Sequence, residues 1–213
     1  TFVRGGAGTG KTMLLATFIK ERGIANVSWV SLDADDNDPY TFWLHVVAAL
    51  TPSWNDDGDL LSIMRSLPEI SRMGELINAG IDRVDDGCER CLVLDDVQNI
   101  TDKKLLDSIE KFLLAMPKNF HVIMLSRDES PVYLGSIAMS GRLLLIDSDQ
   151  MRLSSEESSA FLHRTLKVID DETVRRLSVY AGGWVGGLQL AVAAGCGRRD
   201  VSGLFQAGNG IAE

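Results

Sequence analysis

The octapeptide Gly5-Gly6-Ala7-Gly8-Thr9-Gly10-Lys11-Thr12 constrains this 213-residue chain more than any other feature. It satisfies the pattern Gly-x-x-x-x-Gly-Lys-[Ser/Thr] at every fixed position, follows the strand-like Phe2-Val3 and opens a helix-period stretch. Its glycines let the backbone curl so that successive N–H groups converge, and the helix N-terminus behind them adds positive potential. A turn of this kind holds phosphate oxygens. Lys11 would reach the β- and γ-phosphates of a nucleotide, and Thr12 would offer its hydroxyl to Mg²⁺. The competing reading is a glycine-rich turn followed by a chance Lys-Thr pair.

The rest of the chain supplies the surroundings such a loop needs. Short apolar runs alternate with helix-period stretches, the pattern of a parallel α/β sheet. A helix is expected over 11–22, with Met13, Leu14, Leu15, Phe18 and Ile19 facing the core. A strand follows over Val27–Leu32, and Pro39 then opens a helix through Leu50 carrying Phe42, Val46 and Ala49 on one stripe. Residues 51–84 are turn-rich at first and then helical. Cys91-Leu92-Val93-Leu94 reads as a central strand buried on both faces. Leu105, Ile109, Phe112 and Met116 mark a helix over 102–116, and further buried strands are expected at His121–Leu125 and Leu143–Ile146. Beyond Ile146 the pattern becomes helical to about Phe205, beginning with a capping box in which Ser154 is the N-cap and Glu157 stands at N3. The expected division is an α/β domain over 1–149 and a small all-helical lid domain over 150–213.

A glycine loop of this type predicts an apolar strand ending in an acid that holds the metal. Leu92-Val93-Leu94-Asp95-Asp96 provides it: Asp95 for Mg²⁺, Asp96 to polarise an attacking water. Paired acids at a strand end can instead cap the following turn. The next strand ends in Ser126-Arg127, and strand C-termini line the ligand crevice of a parallel sheet. Arg127 there either senses the γ-phosphate with its planar fork or pairs with Asp128 or Glu129 at the surface.

Other features carry less. Acidic residues outnumber basic ones 30 to 21, a net charge of −9, and the longest basic runs are pairs such as Lys103-Lys104. A phosphate backbone is held by Lys and Arg charge, so this segment alone is a poor binder of nucleic acid. Three cysteines, Cys88, Cys91 and Cys196, fit a reducing cytosol better than a disulfide scaffold. No apolar run approaches the roughly 20 residues of a membrane span. Asp33, Asp35, Asn37 and Asp38 resemble a calcium loop, but its Gly and Glu positions hold Asp38 and Leu44, leaving a turn and capping role. The tryptophans Trp29, Trp43, Trp54 and Trp184 are expected in core or rim positions. The opening Thr1-Phe2-Val3-Arg4, without Met and inside a strand-like run, is expected of a segment of a longer protein.

Five segments occur here in one order: the glycine loop, Trp29-Val-Ser-Leu-Asp33 through Asn37-Asp38-Pro39, Leu92–Asp96, Leu125-Ser-Arg127, and Gly182-Gly-Trp184-Val-Gly-Gly187-Leu-Gln-Leu190. Together they resemble the signal-transducing STAND ATPases, specifically the large ATP-binding regulators of the LuxR type. The resemblance implies a five-stranded P-loop sheet and an ATP/ADP switch that hydrolyses slowly with Mg²⁺. It implies self-association in the ATP state, with an inducer and DNA bound by domains outside this segment. Candidate nucleotide contacts are then Gly5, Gly6, Ala7, Gly8, Thr9, Gly10, Lys11, Thr12 and Met13, with Thr12 and Asp95 on the metal. Lys11, Asp96 and Arg127 are the candidate catalytic groups. Val185 stands where the family usually has a proline that contacts the base. The alternatives are an AAA+-like mechanical ATPase and a nucleotide-binding scaffold without turnover; all three readings are cytoplasmic.

Overall fold

The computed structural model describes residues 1–50, 88–166 and 170–193. The expected helix within 51–84, Trp54, Cys196 and the helical continuation towards Phe205 lie outside the described residues. The chain divides into two compact units, one of Thr1–Gly5 and Thr12–Ile146, the other of Gly6–Lys11 and the chain from Asp147 onward.

The first unit is built on five parallel strands, β1 (Phe2–Arg4), β2 (Val27–Ser31), β3 (Arg90–Asp95), β4 (Phe120–Ser126) and β5 (Leu145–Ile146), in the order β2-β3-β4-β1-β5. Among the described residues its helices are α1 (Lys11–Arg22), α2 (Pro39–Leu50), α3 (Lys103–Ala115) and the short α4 (Gly135–Met139). Every residue of β3 is buried, which is why its middle is uniformly apolar. Helix α3 starts where the Asp102 carboxylate accepts the Leu105 N–H at 2.9 Å, and it buries Leu105, Ile109 and Phe112. Phe42, Trp43, Phe112 and Phe120 run through this core edge to face, with ring centroids 5.0, 5.4 and 6.2 Å apart. The Trp43 indole N–H is satisfied by Ser108 Oγ at 3.1 Å.

Two expectations about burial are corrected. Of the five apolar residues expected to face the core from α1, only Leu15 is buried, with Ile19 partly so; Met13, Leu14 and Phe18 are exposed. Five apolar residues at those spacings spread around most of a helix, and a helix lying on a sheet buries only one stripe. Leu15 and Ile19, four apart, form that stripe. The strand expected over Leu143–Ile146 shrinks to β5, whose Leu145 is exposed. Among the described residues it is an edge strand, held by β1 through the pairs Phe2↔Leu145 and Val3↔Ile146.

In the second unit the described helices are α5 (Ser155–Thr165), α6 (Asp171–Ala181) and α7 (Val185–Ala193), packed around Leu162, Val174, Leu177, Ala181, Leu188 and Ala191. The capping box forms: Ser154 Oγ accepts the Glu157 N–H at 3.1 Å and Glu157 Oε2 accepts the Ser154 N–H at 2.8 Å. Helix α6 begins on Asp170, whose carboxyl is held below its usual range by the N–H and hydroxyl of Thr173. It ends at Gly182, left-handed at φ 53°, a conformation glycine adopts without a Cβ penalty. Among the described residues no helix is long and apolar enough to cross a membrane.

Candidate functional site

Within the second unit, the segment Gly6–Lys11 turns through two left-handed glycines, Gly8 at φ 71° and Gly10 at φ 87°. The turn is tied by Thr9, whose hydroxyl donates to the Gly6 carbonyl at 2.9 Å. Lys11 is 8% exposed, and its ammonium donates to that same carbonyl at 3.2 Å. A buried ammonium requires acceptors, so Gly6 O holds the lysine head inside the turn. Gly6, Ala7 and Gly8 form its exposed rim. The loop rests on the start of α7: the Gly186 N–H donates to Gly8 O at 2.8 Å. A Cβ added to Gly8 would come within 3.1 Å of the Trp184 ring. Glycine is therefore favoured at this position by the left-handed backbone, and a side chain would in addition press on the Trp184 ring. Val185 lies beside Gly10, and together with Trp184, Thr9, Met151 and Arg152 it lines a small cavity.

In the first unit, the C-terminal ends of β1, β4 and β3 bring the remaining candidates together. Asp95, 6% exposed at the end of β3, accepts the Thr12 hydroxyl through Oδ2 at 2.9 Å and the Asp96 N–H through Oδ1 at 3.0 Å. A hydroxyl and a carboxylate in contact form the hard oxygen donor set that suits Mg²⁺, which normally keeps waters and phosphate oxygens as its other ligands. The side chains fit that ion. Met13, next along α1, is 67% exposed.

Asp96 is left-handed at φ 59° and is the residue from which the Val97–Asn99 turn starts. Its Oδ1 accepts from Gln98 Nε2 at 2.7 Å and from Arg127 Nε at 3.2 Å. Arg127 thus pairs with Asp96, not with Asp128 or Glu129; Glu129 is taken by Arg4. The Asp96–Arg127 pair is about half exposed on the arginine side, the class of ion pair worth only about 0–1 kcal/mol. The guanidinium can therefore exchange partners at little cost. Gln98 also reaches β4: its Oε1 accepts the Arg127 N–H at 3.0 Å and the Ser126 hydroxyl at 3.4 Å. Ser126 O accepts the N–H of Gly5, the first glycine of the motif, at 3.1 Å.

The acidic turn after β2 is a brace. Asn37 Oδ1 accepts the N–H groups of Thr101 and Asp102, at 2.8 and 2.9 Å, while its amide donates to Asn99 O and Thr101 Oγ1. Asn99 in turn donates to Leu32 O at 2.8 Å. The connection that follows Asp96 is thereby fastened to the connection that follows β2. Asp38 caps α2 by accepting the Thr41 N–H, and buried Asp36 takes the Asp33 N–H and the His45 ring. Among the described residues no group of three or more His, Cys, Asp or Glu is placed to hold a metal. Sequence reasoning did not identify Gln98 or Asn37 as site-building residues, since the partners that give them this role, Arg127 and Ser126 for one and Thr101 and Asp102 for the other, lie far along the chain. Trp184, expected in a core or rim position, sits half-buried against Gly8, and its place in the Gly182–Leu190 segment is the signal in the sequence.

No protein-family model matches the chain. It is homologous over 88% of its length to the HTH-type transcriptional regulator MalT of Vibrio parahaemolyticus, at 28% identity across 189 residues. MalT of Yersinia enterocolitica is 27% identical over 194 residues. The chain spans about a fifth of the length of these curated relatives, 21% in each case. Among solved structures it resembles the STAND protein with a tetratricopeptide repeat sensor from Pyrococcus horikoshii. That match has a TM-score of 0.69 and 21% identity, over 97% of this chain and 29% of that one. It also resembles the Aeropyrum pernix Orc1 protein in complex with DNA, with a TM-score of 0.52 and 13% identity, over 92% of this chain and 53% of that one. The fold is that of the P-loop nucleoside triphosphatases: a five-stranded parallel sheet flanked by helices, with helical segments following.

Proposed function

We propose that this chain is the nucleotide-binding core of a signal-responsive transcriptional regulator of the STAND, LuxR-type kind, an ATP/ADP switch that hydrolyses ATP slowly. The observation that carries the reading is the contact of Thr12 with Asp95, directly after a loop that buries the Lys11 ammonium. Homology to MalT supplies the regulatory context.

In this reading the backbone of Gly5–Thr12, with Met13 beside it, surrounds the phosphates, and Lys11 neutralises β- and γ-oxygens. Val185, with the cavity it helps to line, receives the base. Thr12 and Asp95 are the residues that would hold Mg²⁺, which when bound neutralises charge on the phosphate oxygens. Asp96 orients the attacking water: a carboxylate has about four lone-pair sites, so the bonds from Gln98 and Arg127 leave it acceptor capacity. Arg127 reads the γ-phosphate by exchanging its weak pairing with Asp96 for a bidentate phosphate contact.

The segment over 150–213 acts as the helical lid, and the site's output is a population shift. A γ-phosphate biases two arrangements only by its differential affinity for them. Self-association belongs to the ATP state in this reading. The inducer and DNA are bound by parts of the whole regulator that this chain does not span, and the protein works in the cytoplasm without a membrane partner. Turnover measured on Asp96→Asn tests the proposal. A switch retains ATP longer in this variant, because the water is no longer activated while the phosphate contacts persist. Equal turnover in wild type and Asp96→Asn, or none in either, would contradict it.

A further inference from the structure

Gln98 is itself assigned to neither phosphate nor metal, and neither its residue type nor its spacing in the sequence marks it out. In the fold, however, it makes three of the bonds that shape the acidic end of the sheet. Its amide donates to Asp96 Oδ1 at 2.7 Å, shorter than the 3.2 Å bond from Arg127 to the same oxygen. Its carbonyl accepts the backbone N–H of Arg127 and the hydroxyl of Ser126. Ser126 is bonded through its own carbonyl to Gly5. One side chain therefore links the end of β3 to the end of β4 and, one step further, to the first residue of the glycine motif.

We infer that Gln98 is a positioning residue for hydrolysis, holding the Asp96 carboxylate in place when Arg127 leaves it. This inference rests on the proposed roles of Asp96 and Arg127 and adds to them. Asp96 is a left-handed residue with two competing donors on one oxygen. If Arg127 alone oriented it, engagement of Arg127 with phosphate would release the water-orienting group at the moment it is needed. Gln98 removes that conflict. Its donor stays on Asp96 Oδ1 while its acceptor keeps the Arg127 backbone in register, so the guanidinium moves without dragging the strand end. The carboxylate is then pre-aimed, and no step of the reaction has to pay for ordering it.

The test compares wild type, Gln98→Ala and Gln98→Glu for kcat, KM and nucleotide affinity with Mg·ATP, and adds Asp96→Ala with and without Gln98→Ala. Outer partners of this kind cost on the order of 10- to 100-fold in activity when removed. The expected result is a loss of that size in kcat for Gln98→Ala with KM within about twofold, the split that marks an interaction made only in the transition state. Gln98→Glu keeps size and acceptor but replaces the donor with a second anion, so it should fall at least as far as Gln98→Ala. Simple packing predicts the opposite order, with the isosteric Glu close to wild type. In the Asp96→Ala background, Gln98→Ala should change kcat by less than about twofold, because the pair acts as one unit. Wild-type kcat in both Gln98 variants, or an undiminished effect of Gln98→Ala without Asp96, would overturn the inference while leaving the nucleotide site intact. Absence of hydrolysis in wild type would overturn both.

Discussion

The hydroxyl of Thr12 donates to Asp95 Oδ2 at 2.9 Å although their strands are not neighbours in the sheet. Strand β4 lies between β1 and β3, so the start of α1 reaches past the end of β4 to meet the acid. A parallel sheet places its ligand crevice at strand C-termini where the connections part to opposite sides. Here β1 is followed in sequence by β2 at one edge, while β5 occupies the other. The two oxygens meet across the end of β4, on the C-terminal side of the sheet, as the proposed Mg²⁺ site would require.

Removal of either oxygen should uncouple nucleotide binding from Mg²⁺. In Thr12→Ala and Asp95→Asn the affinity for ATP with Mg²⁺ should fall on the order of 10- to 100-fold, towards its value in a chelator. Titrations with Mg²⁺ and with EDTA check this. An unchanged Mg²⁺ effect in both variants would place the ion elsewhere.

Gly8→Ala should strain the loop twice over. Its φ of 71° costs a Cβ-bearing residue roughly 1–2 kcal/mol, and the new methyl would meet the Trp184 ring at 3.1 Å. Denaturant unfolding should show a loss of about that size, and nucleotide affinity should drop with it. Gly6 differs, since a Cβ there meets nothing within 4 Å, so Gly6→Ala is expected to leave stability nearly unchanged.

Asn37→Ala should destabilise the first unit by about 0.5–1.5 kcal/mol, the net worth of an ordinary hydrogen bond, because the N–H groups of Thr101 and Asp102 lose their protein acceptor but are open enough for water to replace it. The connection carrying Asp96 and Gln98 is then held at one end only. Urea unfolding measures the first effect; slower turnover at unchanged ATP affinity would register the second.

Burial in β3 pushes the Cys91 thiol up from about 9 to about 11, whereas Cys88 is exposed. At pH 8 roughly one Cys91 in a thousand is then thiolate, so native alkylation should label Cys88 and spare Cys91. Between pH 9 and 11 the unfolded chain gives up a proton that the folded chain retains, so stability declines across that window and is unaffected by this group below it. Mass spectrometry of labelled peptides and unfolding curves at pH 8 and 10.5 check both points.

The sheet was legible because each of its signals is local. The continuous apolar run of β3 reports burial on two faces, and Leu105, Ile109 and Phe112 report one face of α3. Capping at Ser154 is likewise written within four residues. Legibility ended where a neighbour decides. The apolar residues of α1 outnumber the stripe that a sheet can cover, and periodicity does not say which are left outside. Helix α4 is five residues long, too short for any period to register. Gln98 and Asn37 act across 29 and 65 positions respectively, on Arg127 and Asp102, distances at which only the folded chain defines a partner. The glycine loop was the converse case, since a phosphate cradle is built from backbone and its requirements appear directly as glycines.

The nucleotide site itself is tested most directly by calorimetric titration of ATP and ADP, with and without Mg²⁺, into wild type and Lys11→Ala. Lys11 is buried with its ammonium on the Gly6 carbonyl, so its removal takes away the charge inside the turn. Saturable binding in wild type, lost in Lys11→Ala, is the predicted result, and tighter binding of ADP than ATP would mark the resting state of a switch. Equal binding by the two proteins, or none by wild type, would contradict the assignment of this loop to phosphate.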